Sequence, residues 1–234
     1  MSLGYSASDY TQEARLRGEW ERAYLRFETP EQEARKFQRR LVTLGARAWS
    51  REAAIIELFC GRGGGLTALA GLGFHNIRGV DLSASLVARY RGPGQCLVGD
   101  CRHLPFKSGS QTVAVVQGGL HHLDDLTTDL DRTLAEIHRV LRADGLLVVV
   151  EPWLTPFLRA AHMIAGVRIA CRVWPRLEAL ATMIRLEGTT YRRWLARPEW
   201  ILGQLGRPFI PLRSEAQWGK LLFLGRKRPY EDCG

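Results

Sequence analysis

From residue 53 onward short apolar runs alternate with helical stretches, and this alternation narrows the possible folds more than any other feature of the chain. Runs at 54–59, 77–81, 95–98, 113–116 and 146–150 have strand length and are bounded by glycine or acidic residues. Between them lie helical stretches at 66–70 and 83–90. A third is marked by Leu130, Leu134, Ile137 and Leu141, with Gly145 placed to stop it. A helix between successive strands carries the chain back along the sheet, so the strands run parallel and both faces are covered. Two final strands are expected at 209–213 and 218–226. The expected fold is α/β, a doubly wound, mostly parallel seven-stranded sheet with helices on both faces.

Ahead of this core Leu16, Trp20, Tyr24 and Phe27 recur at helical spacing. Thr29-Pro30-Glu31-Gln32 has the form of a capping box with proline at the first helical position. The stripe of Ala34, Phe37, Leu41 and Leu44 follows, and Gly45 is placed to end it. Behind the fifth strand a mostly helical stretch runs to about Leu205. The expected organisation is an N-terminal helical segment (1–50), a cofactor-binding core (51–152), a helical substrate lid (153–207) and the last two strands with a tail (208–234).

The chemistry concentrates after the first strand, in Glu57-Leu58-Phe59-Cys60-Gly61-Arg62-Gly63-Gly64-Gly65. Glycines between a strand and a helix let the backbone turn tightly and approach a ligand closely. Nicotinamide and flavin enzymes use the same device, but both Gly61-x-Gly63-x-x-Leu66 and Gly63-x-Gly65-x-x-Ala68 lack the third glycine of the dinucleotide fingerprint. Glu57 places a carboxylate just ahead of the loop, which repels a pyrophosphate and attracts an ammonium or sulfonium. Asp81 ends the second strand, where an acid suits a ribose diol. Asp100 follows the third strand and suits an adenine amino group. Together these groups outline S-adenosylmethionine.

On these residues the stretch 55–152 resembles class I S-adenosylmethionine-dependent methyltransferases, particularly those acting on small molecules, quinones and lipids. Glu57, Gly61, Gly63 and Gly65 match the first motif of that family, and Asp81 matches its ribose acid. Gly99-Asp100-Cys101-Arg102-His103-Leu104-Pro105-Phe106 is similar to its adenine segment, with the Cys101 backbone against the ring. Gln117-Gly118-Gly119-Leu120-His121-His122-Leu123 is similar to the run after its fourth strand, and 138–145 to its turn into the fifth. The resemblance implies a cofactor-binding set of Glu57, Phe59, Gly61, Gly63, Gly65, Asp81, Leu82, Asp100, Cys101 and Gln117. Phe59 departs from the pattern by standing where the family has its first glycine; it should narrow the methionine pocket or be accommodated by Gly64. Asp81, at a strand's exposed end, is expected to have little packing role. His121 and His122 are the candidate catalytic residues, since histidine titrates near neutrality and can take a proton from a substrate hydroxyl.

Charge and cysteines bear on partner and compartment. The net charge is +9, and ten arginines against three glutamates fall between Pro152 and Arg213. With Trp153, Phe157, Trp174 and Trp194 among them, this composition suits an amphipathic or anionic small-molecule acceptor, a lipid-like one included. Nucleic acid is the weaker reading. No Pro-Cys nucleophile for cytosine carbon methylation occurs, and no Asn/Asp-Pro-Pro-aromatic run for base amines stands after the fourth strand. RNA methylation at ribose or ring positions stays open, as does a catalytically silent interaction protein. The five cysteines form no C-x-x-C pair, and no metal site is expected. Met1-Ser2-Leu3-Gly4 lacks the order of a secretory signal and no stretch is apolar enough to span a bilayer, so the expectation is a cytoplasmic protein.

Overall fold

The computed structural model describes residues 7–165 and 174–229; two of the ten arginines, Arg168 and Arg172, and two of the five cysteines, Cys171 and Cys233, lie outside them. Two helices come first, α1 (Ala7–Phe27) and α2 (Pro30–Thr43). The capping box forms as expected: the Gln32 N–H donates to Thr29 Oγ1 and the Thr29 N–H to Gln32 Oε1. Gly45 takes a left-handed φ of 90° just past the helix, a conformation open to glycine at little cost.

The core follows as β1 (Ile55–Leu58), α3 (Gly64–Gly71), β2 (Ile77–Asp81), α4 (Ala84–Val87), β3 (Gln95–Val98), β4 (Gln111–Gln117), α5 (Leu126–Val140) and β5 (Leu141–Pro152). After it come α6 (Pro156–Ala165), α7 (Pro175–Leu195), α8 (Pro198–Gly206), β6 (Phe209–Gln217) and β7 (Lys220–Lys227). The seven strands form one sheet in the order β3-β2-β1-β4-β5-β7-β6. β1 to β5 are parallel neighbours, and β7 runs antiparallel between β5 and β6.

Side-chain alternation along the strands sorts the core into two layers. Ile56, Leu58, Ala114 and Val116 face α5 and α8, in a cluster that includes Leu130, Leu134 and Leu205. Ile55, Val113 and Val115 face α2 and α3, against Leu41, Leu66 and Leu69. Glu57 and Gln117 continue the second set at the carboxyl edge of the sheet, where ligands of open α/β folds bind, and Glu57 ends beneath α3.

Three local expectations are corrected. The fifth helix stops at Val140 rather than Gly145, because Leu141 already pairs with Gln111 and a register shift lets β5 begin early. The helix after β2 spans only Ala84–Val87, started by Ser83, whose Oγ accepts from the Leu86 N–H. Trp218 belongs to no strand. It and Gly219 form a two-residue hairpin turn with φ of 49° and 75°, the paired positive values that a type I′ turn requires.

Candidate active site

The glycine loop is held from both sides. Phe59, Gly61 and Gly63 all have positive φ, of 55°, 53° and 84°. For a non-glycine residue that conformation costs about 1–2 kcal/mol, and Phe59 offsets it by packing. A Cβ on Gly119 would lie 2.1 Å from the Phe59 ring, so Gly119 receives this side chain and Gly64 does not. Gly64 instead faces Glu33, and Gly65 faces Glu57, with only 1.6 Å between an added Cβ and Glu57 Oε1.

Carboxylates crowd this edge. Glu57 is 2% exposed; burial, then the charge of Glu33, holds its carboxyl well above the usual range. The Leu66 N–H at the start of α3 donates to it, while Oε2 has no partner. Gln117, one pleat further along the neighbouring strand, has neither amide atom partnered. Orphaned polar atoms this deeply buried are rare in folded proteins, and here they leave two acceptors and one donor unmet at the edge of the glycine loop. Asp81 Oδ2 accepts from the Gly61 N–H at 2.8 Å and Oδ1 from the Ser83 N–H at 2.8 Å. Burial raises its carboxyl, and these two amides counteract the rise. Asp81 therefore ties the loop to β2, a structural role beyond the one expected. A carboxylate offers about four acceptor positions, so two stay open for a diol.

Asp100 is arranged differently. The Arg102 guanidinium grips both its oxygens, at 2.7–3.0 Å, and also reaches Asp129 at 2.8 Å. The hydrogen bonds from Arg102 pull the Asp100 carboxyl below its ordinary value. Contact with an adenine amino group requires Arg102 to yield one oxygen. The Cys101 side chain is buried against Thr133, and Leu82 stands 58% exposed beside Asp81.

Several residues at this edge escape a reading of the sequence. Tyr24 of α1 donates to Glu33 Oε1 at 2.6 Å, and Arg62 of the loop donates to Glu33 Oε2 at 2.9 Å. Tyr90 packs its ring on Gly63. Glu21 of α1 accepts from the hydroxyls of Ser83 and Ser85, each at 2.6 Å. Glu33, Glu57 and Asp81 gather three carboxyls at this edge, with Arg62 bonded to Glu33 at 2.9 Å, an arrangement that suits a cationic ligand better than a pyrophosphate.

The loop after β4 forms a second cluster. Glu151 on β5, fully buried, accepts from the Gly119 and Leu120 N–H groups at 2.7 and 2.8 Å and contacts His121 Nδ1 at 2.6 Å. Glu187 of α7 lies 3.5 Å from His121 Nε2 and 3.9 Å from His122 Nδ1. Burial opposes charge on His121, but Glu151 and Glu187 raise it to about 9. Burial and the charge of His121 push His122 down to about 4. Of the pair, His122 is thus the neutral imidazole at physiological pH. Trp20 of α1 donates to Glu187 Oε1 at 2.5 Å and meets His122 edge-on at 5.2 Å.

A family model described as a methyltransferase domain matches residues 56–149. No curated protein matches the chain. Among solved structures, a Pyrococcus horikoshii protein is similar at a TM-score of 0.64 and 19% identity, over 88% of this chain and 98% of that one. A Methanococcus maripaludis protein follows at 0.63 and 15%, over 99% of each chain. An S-adenosylmethionine-dependent methyltransferase from Mesorhizobium loti has a TM-score of 0.55 and 20% identity, over 80% of this chain and 96% of its own. No helix among the described residues is long and apolar enough to cross a membrane. With the sheet order, the glycine loop and the acids at its edge in place, residues 56–149 match a methyltransferase domain, and the chain has the fold of the S-adenosylmethionine-dependent methyltransferases it resembles.

Proposed function

We propose that the chain methylates a small amphipathic or anionic acceptor at the chamber end of the sheet, where α1 and α7 close over the loop after β4. One observation carries this reading. α1 and α7 meet over that loop, joined by the Trp20–Glu187 hydrogen bond. The enclosing surface is aromatic, with Trp20 stacked on Tyr24 and Tyr191 edge-on to His121. An aromatic lining of this kind suits an acceptor with an apolar body.

In this account the orphaned Glu57 Oε2 and Gln117 amide meet the methionine end of the cofactor, and Asp81 takes the ribose hydroxyls. Leu82 and the Cys101 backbone flank the adenine, and Asp100 takes its amino group once Arg102 releases an oxygen. The cofactor supplies an activated methyl group together with its own leaving group. The protein's task is then to align the acceptor and exclude water. His122, neutral and facing the chamber, is the residue placed to accept an acceptor proton. His121 is held by its two carboxylates and acts as a positioning residue.

The test is transfer of tritiated methyl from S-adenosylmethionine into two pools, an organic-extractable small-molecule extract and total RNA. Label in the extract, with RNA at the no-enzyme level, is expected. Label in RNA alone would replace this reading with RNA methylation, and label in neither would favour a silent interaction protein.

A further inference from the structure

We propose that His121, His122 and Glu187 form a binding site for a divalent transition metal, zinc in the first instance, at the chamber end of the sheet. One atom from each of the three side chains lies within 4.8 Å of the other two. Zinc bonds to nitrogen and oxygen of about 2.0–2.1 Å in tetrahedral array space the donors about 3.4 Å apart. His121 Nε2 lies 3.5 Å from Glu187 Oε2, which meets that value, while His122 Nδ1 lies 3.9 Å from the other oxygen, Oε1, so the three donors must draw in from a spread of up to 4.8 Å to close on one ion.

A second observation, independent of this spacing, concerns how His121 is held. Glu151 is fixed by two backbone N–H groups on one oxygen and takes the Nδ1 side of His121 with the other. That leaves Nε2 as the atom turned toward Glu187. A carboxylate behind an imidazole, setting its tautomer and its aim, is the arrangement that supports metal-bound histidines. The two imidazole rings pack 4.0 Å apart, so one ion can reach both of them and the Glu187 carboxylate together. Two nitrogens and one carboxylate oxygen suit zinc and its neighbours in the first transition row rather than magnesium or calcium, which prefer all-oxygen shells. With the ion bound, His122 serves as a ligand in place of its role as proton acceptor, and three protein donors leave a fourth position where an acceptor bearing a hydroxyl or carboxylate can coordinate, the ion then lowering the hydroxyl's own pKa. Metal binding is measured without reference to methyl transfer, so the two readings fail separately.

The experiment strips the full-length protein with a chelator and titrates zinc by calorimetry, with cobalt(II) replacing zinc for visible spectroscopy. One equivalent of zinc and an intense cobalt band from four-coordinate geometry are expected. Glu187→Gln and His122→Ala should each weaken binding at least tenfold, and Glu151→Gln, which removes no donor, about 10–100-fold. The thiols of Cys60 and Cys96, 3.7 Å apart, are a competing zinc pair, so the C60S/C96S double variant must bind as the parent does. Circular dichroism checks each variant's fold, and His122→Ala with the cobalt spectrum decides if Glu187→Gln fails to fold. Absence of binding, binding indifferent to the Glu187 and His122 changes, or binding lost with the two cysteines would each overturn the site.

Discussion

At β1 and β2 the acids at the strand ends come from one stretch of chain, Glu57 through Asp81, with Tyr24 and Glu33 packed against its loop. At β4 and β5 the cluster draws Trp20, His121, Glu151 and Glu187 from positions as much as 167 apart. The first region is built by local turns, and its chemistry depends on backbone amides and glycine φ values. The second exists only because α1 and α7 close over the sheet, and it depends on buried charges pairing across the fold. Damage should therefore be local and ligand-specific in the first region, and global in the second.

The largest effect expected is Glu151→Ala. It leaves two buried N–H groups without acceptors and His121 without its fixed carboxylate, a loss of about 3–5 kcal/mol for a broken buried pair. Chemical denaturation measures it. A loss under about 1 kcal/mol would mean that the chamber is a loosely attached cover and that the contrast between the regions is wrong.

Gly65→Ala comes next. The added Cβ would sit 1.6 Å from Glu57 Oε1, so the carboxyl must leave its place under α3. Overpacking of this kind costs about 1–3 kcal/mol, and cofactor affinity should fall with it, as thermal melts with and without ligand will read. The same change at Gly203, where an added Cβ meets nothing within 4 Å, serves as the control.

Glu57→Gln is the smallest effect and the most selective. A carboxyl whose folded value lies above its unfolded one stabilises the fold below the unfolded value, and that contribution disappears as pH rises through the folded value. The glutamine variant has no such falling limb, so its stability relative to the parent should improve toward alkaline pH. Its affinity for S-adenosylmethionine should drop roughly tenfold, since a hydrogen bond to a charged group contributes about 1.5–3 kcal/mol. A variant weaker in stability at every pH would place Glu57 among the structural groups alone.

The same contrast explains what could be read in advance. β2 and β3 fall at the expected residues because their boundaries are set by local signals, Asp81 and the glycines near residue 94. The capping box at Thr29 is local in the same way. Gly145 misled because the pairing of Leu141 with Gln111, a tertiary contact, ends α5 before its glycine is reached. Phe59 stands out in the sequence as a departure from the glycine pattern, but its receptor is Gly119, sixty residues away, and not its neighbour Gly64. Arg102 sits two residues from Asp100, yet its grip on that acid depends on a rotamer that no sequence pattern states. Glu187 lay unremarked among arginines, and Trp20 looked like ordinary helix stripe; only their meeting over His122 gives either a role.

The central claim is that the acids at the strand ends hold the cofactor, and Asp81 tests it most directly. Calorimetry of S-adenosylmethionine against the parent and Asp81→Ala, with a ligand-free thermal melt of each, separates affinity from fold. Two ribose hydrogen bonds to a carboxylate contribute enough that affinity should fall between about tenfold and a thousandfold. The melt should drop modestly, since the Gly61 and Ser83 amides lose their acceptor. An affinity for S-adenosylmethionine unchanged in the folded variant would contradict the account: Asp81 would then be only the tie that holds the glycine loop to β2.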